Sequence, residues 1–174
     1  WNASTDGRPR AVLGAASDGL VAIDLVRDGP HALVVGTTGS GKSDLLRTLV
    51  LGMAVASPPD RVQFVLVDFK GGAAFDACAR LPHVVGLVTD LDRAGCERVM
   101  RSLRAELRRR EGVLRAAGVS DAGDLHGSGV EAAHDVPRLV VVVDEFAALA
   151  DELPHVLHSL VDIARRGPSL GVHL

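Results

Sequence analysis

Aromatic side chains are scarce: four Phe, one Trp and no Tyr, or 3% of 174 residues. Any core must therefore be aliphatic, and a hydrophobic content of 47% can supply one for a single domain of this length. Excess positive charge is missing too. A net charge of −3 excludes a global basic field that would draw the chain to nucleic acid or to an anionic membrane. A polyanion contact would need a local patch or several subunits. Cys78 and Cys96 are too few and too far apart for a zinc site, and they fit reduced thiols in a cytosolic compartment. No apolar run approaches the roughly 18 residues of a membrane span, and residues 1–10 show no signal-peptide pattern. The expectation is a cytoplasmic domain with no membrane contact of its own. Asparagine occurs once, at Asn2, so the Asn-Lys-x-Asp element that reads guanine cannot exist here.

What is present is a phosphate loop. Gly36-Thr37-Thr38-Gly39-Ser40-Gly41-Lys42-Ser43 fits GxxxxGK[ST] at every required position. The apolar run Ala32-Leu33-Val34-Val35 before it predicts a strand. Leu45, Leu46, Leu49 and Val50 after it predict a helix. Glycines at 36, 39 and 41 let consecutive N–H groups converge on an anion, and the helix start adds its dipole. Lys42 should reach the β- and γ-phosphates, and Ser43 should ligate Mg²⁺.

The magnesium needs a second anchor. Arg138-Leu139-Val140-Val141-Val142-Val143-Asp144-Glu145 reads as a buried parallel strand with two carboxylates at its C-terminal end, where open α/β sheets bind ligands. Asp144 is then the Mg²⁺-side carboxylate and Glu145 the base that polarises water. The bland reading of the pair is a strand end capping the next helix; the upstream loop favours the catalytic one. With that guanine-reading element excluded, ATP is favoured over GTP.

Along the chain, residues 1–28 form a lead-in with a hairpin turning near Ser17-Asp18-Gly19, and residues 29–174 form the phosphate-loop core. Helices are expected at 42–56, 73–80, 92–117 and 147–166, the last broken by Pro154. Strands are expected at 62–69 and 84–88. Residues 118–135 read as a Gly-rich polar loop, and Asp90 and Asp92 offer N-caps for the long helix. The tail Leu170–Leu174 reads as a strand entering the sheet, so the domain is expected to be truncated there. The fold class is α/β: a mainly parallel sheet with helices on both faces, preceded by a short β-hairpin. Arg101, Arg104, Arg108, Arg109 and Arg110 make the long helix basic. They contact DNA or a partner subunit, or else form a solvated face paired with Glu97, Glu106 and Glu111. His155 and His158 have metal-like spacing but no obvious third ligand.

Several spaced segments together resemble the FtsK/SpoIIIE ATPases: the loop 36–43, Val67-Asp68-Phe69-Lys70-Gly71-Gly72, Leu81-Pro82-His83-Val84, Val143-Asp144-Glu145-Phe146, and Ser169-Leu170-Gly171-Val172-His173-Leu174. The Asp-Phe-Lys-Gly-Gly form is most similar to the EccC branch of type VII secretion. The resemblance implies a RecA-like motor domain of a membrane-associated protein, assembled as a hexameric ring of its own copies. Its substrate would be double-stranded DNA or a secreted protein. It places Lys42 and Ser43 on phosphate and Mg²⁺, Asp144 and Glu145 as the hydrolytic pair, and Asp68 and Lys70 beside the nucleotide. It also implies an arginine acting in trans on the next subunit. Here Pro168 stands where members often carry one, and Arg165 or Arg166 lies nearby.

Overall fold

The computed structural model describes residues 7–69, 73–89, 93–127 and 136–174, with side chains described for all of these except 126 and 127. Strands β1 (Arg10–Ala16) and β2 (Gly19–Asp24) form an antiparallel hairpin. Helix α1 (Lys42–Ala56) follows the phosphate loop; then come β3 (Val62–Asp68), β4 (Val84–Thr89), α2 (Arg93–Ala116), α3 (Ala122–Gly127), β5 (Arg138–Asp144), α4 (Phe146–Glu152), α5 (Pro154–Arg166) and β6 (Val172–His173). The predicted helix at 73–80 shrinks to a 3₁₀ turn, Asp76–Cys78. Pro154 opens α5, where its missing N–H costs nothing.

The main sheet is parallel, in the order β4-β3-β5-β6. Unbroken valines in β5 serve both faces. Leu139 and Val141 join one core with α2, α4 and α5, while Val140 joins a second with α1 and the hairpin. Phe64 and Leu66 of β3 are fully buried on the α1 side. The hairpin is fastened to α1 at Gly52, where any Cβ would lie 2.9 Å from the Ala11 Cβ. Gly167 allows an equally close crossing of α5 and β6. A Cβ there would lie 2.7 Å from both the Ile163 and Val172 carbonyl oxygens.

One predicted strand is not in the ladder. Ala32–Val35 joins no ladder among the described residues; the Ala32 N–H donates to the Leu174 carbonyl at 2.9 Å. Leu33 and Val35 are exposed. On the other side β6 pairs with β5 through two residues, Val172 and His173. Strand pairing is non-local, so an apolar run shows β-propensity without showing its partner.

Two histidines join this segment to the rest. The His31 Nδ1 accepts the Leu174 N–H at 3.0 Å, so its Nε2 carries the proton and donates to the Ala164 carbonyl at 2.7 Å. The His173 Nδ1 donates to the Pro30 carbonyl at 2.9 Å, and its Nε2 is buried without a partner among the described residues. Burial, opposed by the Pro30 hydrogen bond and reinforced by Arg138, His31 and Arg110, pushes His173 down from 6.5 to about 4. The folded state thus prefers neutral His173. Its contribution to stability is whole above pH 6.5 and is lost as pH falls towards 4. Between pH 7.5 and pH 5 the expected loss is about 2 kcal/mol. Urea unfolding at both pH values should show His173→Asn to be less pH-sensitive than the parent by this amount; an identical pH dependence would refute the assignment.

Candidate active site

The loop and the acid pair meet. Gly39 and Gly41 have φ of +77° and +86°, values that side chains rarely adopt, and so turn the backbone around the anion cradle. A Cβ at Gly36 would lie 2.5 Å from the Ser40 Oγ and fill that cradle. The Ser43 hydroxyl donates to Asp144 Oδ2 at 2.7 Å, across 101 residues of sequence. The other oxygen of Asp144 accepts the Glu145 N–H at 2.9 Å. Asp144 is buried and Glu145 is exposed just beyond it, at the sheet's C-terminal edge.

The Lys42 Nζ donates to the carbonyls of Gly36 and Thr37, both at 2.9 Å, so its ammonium lies over the loop itself. A cavity of about 480 Å³ opens between the 32–36 segment and β5. Its walls are apolar, and Lys42, Asp144 and Glu145 are its charged lining residues. Glu145 is the one non-glycine with positive φ among the described residues, at 58°. That left-handed conformation costs about 1–2 kcal/mol and marks strain at the site.

A phosphate group fits this donor set: glycine-permitted N–H groups, the start of a 15-residue helix and one ammonium. Mg²⁺ fits Ser43 and Asp144, a hydroxyl and a carboxylate already in contact. Thr37 and Thr38 lie within the loop, and the Thr37 carbonyl also accepts the Ser40 N–H at 3.2 Å.

Asp68 pairs in register with Asp144, so two carboxylates stand side by side at adjacent strand ends. Asp68 is buried and accepts the Ala74 N–H at 3.4 Å. Lys70, Gly71 and Gly72 lie outside the described residues, as do Asp90 and Asp92. Of the arginines named for action in trans, Arg166 is engaged within the chain by Glu111 and Asp162. The hydrogen bond to Glu111, with that carboxylate's charge, holds the Arg166 guanidinium above its ordinary pKa. Arg165 is exposed and makes no hydrogen bond or ion pair among the described residues. His155 and His158 do not converge: one faces Glu97 at 3.6 Å and the other bonds the Pro154 carbonyl.

One compositional signal escaped the motif reading. Of nineteen basic side chains only Lys42 and Lys70 are lysines. A chain that otherwise uses arginine keeps the compact, flexible ammonium for the two positions where resemblance places the nucleotide. The Glu145 backbone had no sequence signal at all.

A parallel α/β sheet with a phosphate loop feeding α1 and an acid pair ending β5 defines the class as a phosphate-loop ATPase domain. The chain belongs to the FtsK/SpoIIIE family, whose model matches residues 9–174. It is 38% identical over 194 aligned residues to the ESX-5 secretion system protein EccC5 of Mycobacterium marinum, covering 100% of this chain and 14% of that protein. The cytoplasmic domain of the type VII secretion ATPase EccC of Thermomonospora curvata superposes with a TM-score of 0.87 at 38% identity, over 100% of this chain and 22% of that one. ATPases 2 and 3 of the same EccC, in complex with a signal sequence peptide, superpose at 0.82 and 31% identity, over 96% of this chain and 32% of that one. The chain thus spans a small fraction of the proteins it matches.

Proposed function

We propose that this chain is the Mg²⁺-dependent, ATP-hydrolysing unit of a type VII secretion motor. It would act in the cytoplasm on a polypeptide substrate, within a ring of like domains. The observation that carries the hydrolytic part is the 2.7 Å contact between Ser43 and Asp144, which brings loop and acid pair to one point. Lys42 would leave the Gly36 and Thr37 carbonyls to bind β- and γ-phosphate oxygens. Mg²⁺, when bound, neutralises phosphate charge. Asp144 would hold the Ser43 side of the site, and Glu145 would take a proton from water. Asp68 and Lys70 would shape the neighbouring strand end.

The polypeptide substrate is inferred from the type VII secretion relatives and the signal-peptide complex. The net charge of −3 also weighs against duplex DNA. The described residues include no helix long and apolar enough to cross a membrane. Arg165, exposed near the end of α5, is the better placed of the two arginines for a neighbouring subunit's phosphate. A second reading has one observation behind it: Lys42 is held by its own loop. On that reading the domain binds ATP for assembly and hydrolyses little.

The test is Mg²⁺-ATP affinity and turnover, with and without duplex DNA. Lys42→Ala should weaken binding about 10- to 100-fold, from about 1.5–3 kcal/mol for a hydrogen bond to a charged group. Equal affinity of parent and variant would remove the site. Turnover raised severalfold by DNA would replace the polypeptide reading with a DNA one. Tight binding without turnover, even at concentrations that form the ring, would select the assembly reading.

A further inference from the structure

Helix α2 carries eight arginines and three glutamates in a chain whose net charge is −3. Every one of those glutamates is already engaged. Glu97 pairs with Arg93 and faces His155, Glu106 pairs with Arg109 and Arg110, and Glu111 pairs with Arg166 of α5. Arg104 donates to the Ser159 hydroxyl at 2.6 Å. Arg98, Arg101, Arg108 and Arg115 remain. All four are exposed, and none makes a hydrogen bond or ion pair among the described residues.

These four share the face opposite the buried row of Cys96, Leu103, Leu107 and Leu114. Arg101, Arg108 and Arg115 recur every seven residues, about 10.5 Å apart at 1.5 Å per residue. Beside them, at the same interval, run Arg98, Ala105 and Gly112. Ala105 is exposed, and open space lies above Gly112. The face therefore offers a shallow track beside a row of guanidinium groups, about 26 Å from Arg98 to Arg115.

We propose that this face of α2 docks an α-helical segment of a protein partner that carries carboxylates at seven-residue spacing. A helix laid along α2 repeats its side chains at the same interval, so each glutamate can meet one arginine, as flanking charges do in coiled coils. The small residues let the two backbones approach closely. A duplex fits less well. Its phosphates wind away from a straight rail, and the remainder of the chain is acidic. Such charge pairing sets partner choice and association rate more than raw affinity.

The test uses the whole chain and a fluorescent 21-residue helical peptide with three glutamates at seven-residue spacing on one face. The expected result is binding in the micromolar range that weakens at least fivefold between 50 and 200 mM salt, as surface charge pairing should. Arg101→Glu/Arg108→Glu/Arg115→Glu should lose at least tenfold in affinity, and the corresponding triple Gln variant several-fold. The Gln variant should keep the parent's thermal unfolding, because these side chains have no partners among the described residues to lose; the Glu variant sets new carboxylates three or four residues from Glu97 and Glu111 and should unfold slightly lower. A peptide with its glutamates scrambled should bind at least fivefold more weakly. Equal binding of the scrambled peptide, or no binding of either, overturns the proposal. So does tighter binding of a 20-base-pair duplex, which would make the row a nucleic-acid contact. A change in sedimentation of the charge-reversed variant without peptide would assign the face to a second copy of this chain, and that also overturns it. Nucleotide affinity reads the proposed function separately and should be unchanged in all three-site variants.

Discussion

Glu145→Gln is expected to lower ATP turnover by about 10²- to 10⁴-fold, the usual worth of a positioned general base, while Mg²⁺-ATP affinity stays within about threefold. The separation follows from geometry. Asp144 and Ser43 hold each other at 2.7 Å and do not depend on the Glu145 side chain. Glutamine has the shape of glutamate and keeps the backbone N–H that donates to Asp144 Oδ1. It removes only the capacity to take a proton. The backbone sharpens the test. Glu145 sits at φ 58° and ψ 36°, and its carbonyl accepts the Leu149 N–H at 3.1 Å, so the first turn of α4 fixes the strained conformation. Glu145→Gly should therefore stabilise the fold by up to about 1 kcal/mol while losing as much turnover as Glu145→Gln. Stability and activity would then move in opposite directions at one residue. Single-turnover measurement with radiolabelled ATP, beside urea midpoints for both variants, gives the two numbers. If Glu145→Gln hydrolyses ATP as fast as the parent, the base lies elsewhere.

Local chemistry was legible and non-local geometry was not. Helix α1 spans Lys42–Ala56 as read, because the phosphate-loop spacing sets its start and Pro58-Pro59 lies just past its end. Pro154 divides the following helical stretch for the same kind of reason: one residue removes one N–H. Asp144 at the end of β5 could be read because five apolar residues before it demanded a buried strand. By contrast, the run at 32–35 has the composition of a strand, yet its ladder depends on a neighbour more than a hundred residues away. The arginines of α2 show the same limit. Sequence spacing offered pairs with Glu97, Glu106 and Glu111 along the helix, and only some of these exist. Glu111 turns to Arg166 on α5, and Arg104 turns to Ser159. Which charges are left free depends on what lies across the helix, and periodicity does not encode that. The strain at Glu145 and the crossing at Gly167 are likewise properties of backbone paths that meet only in the folded chain.

Arg110 is the arginine whose environment the sequence hid most completely, and Arg110→Met is expected to cost about 3 kcal/mol. Its side chain is 1% exposed although it lies in a run of three arginines. The Nε donates to Glu106 Oε1 at 2.8 Å, and Nη1 donates to the Leu170 carbonyl at 2.9 Å. Burial lowers the Arg110 pKa, with Glu106 opposing it. Burial also works against the Glu106 carboxylate, but hydrogen bonds from Arg109 and Arg110 outweigh it and hold Glu106 below the ordinary range. Methionine fills much of the same space yet donates nothing. It leaves a carboxylate short of a partner and a carbonyl unpaired at the turn that delivers β6. Breaking a buried pair from one side costs about 3–5 kcal/mol, and the 28% exposure of Glu106 argues for the lower end. For a domain of this size the midpoint should fall by about 6–12 °C. Arg108→Met, two residues earlier but on the open face, should stay within about 0.5 kcal/mol of the parent. Glu106→Gln should fall between the two, because the amide oxygen still accepts from the guanidinium. The damage should also be local. The Leu139 N–H, which donates to the Gly171 carbonyl at 2.9 Å, should exchange faster in Arg110→Met than amides within the β3–β5 ladder do. An Arg110→Met midpoint that matches Arg108→Met would mean that the turn before β6 is held by packing alone.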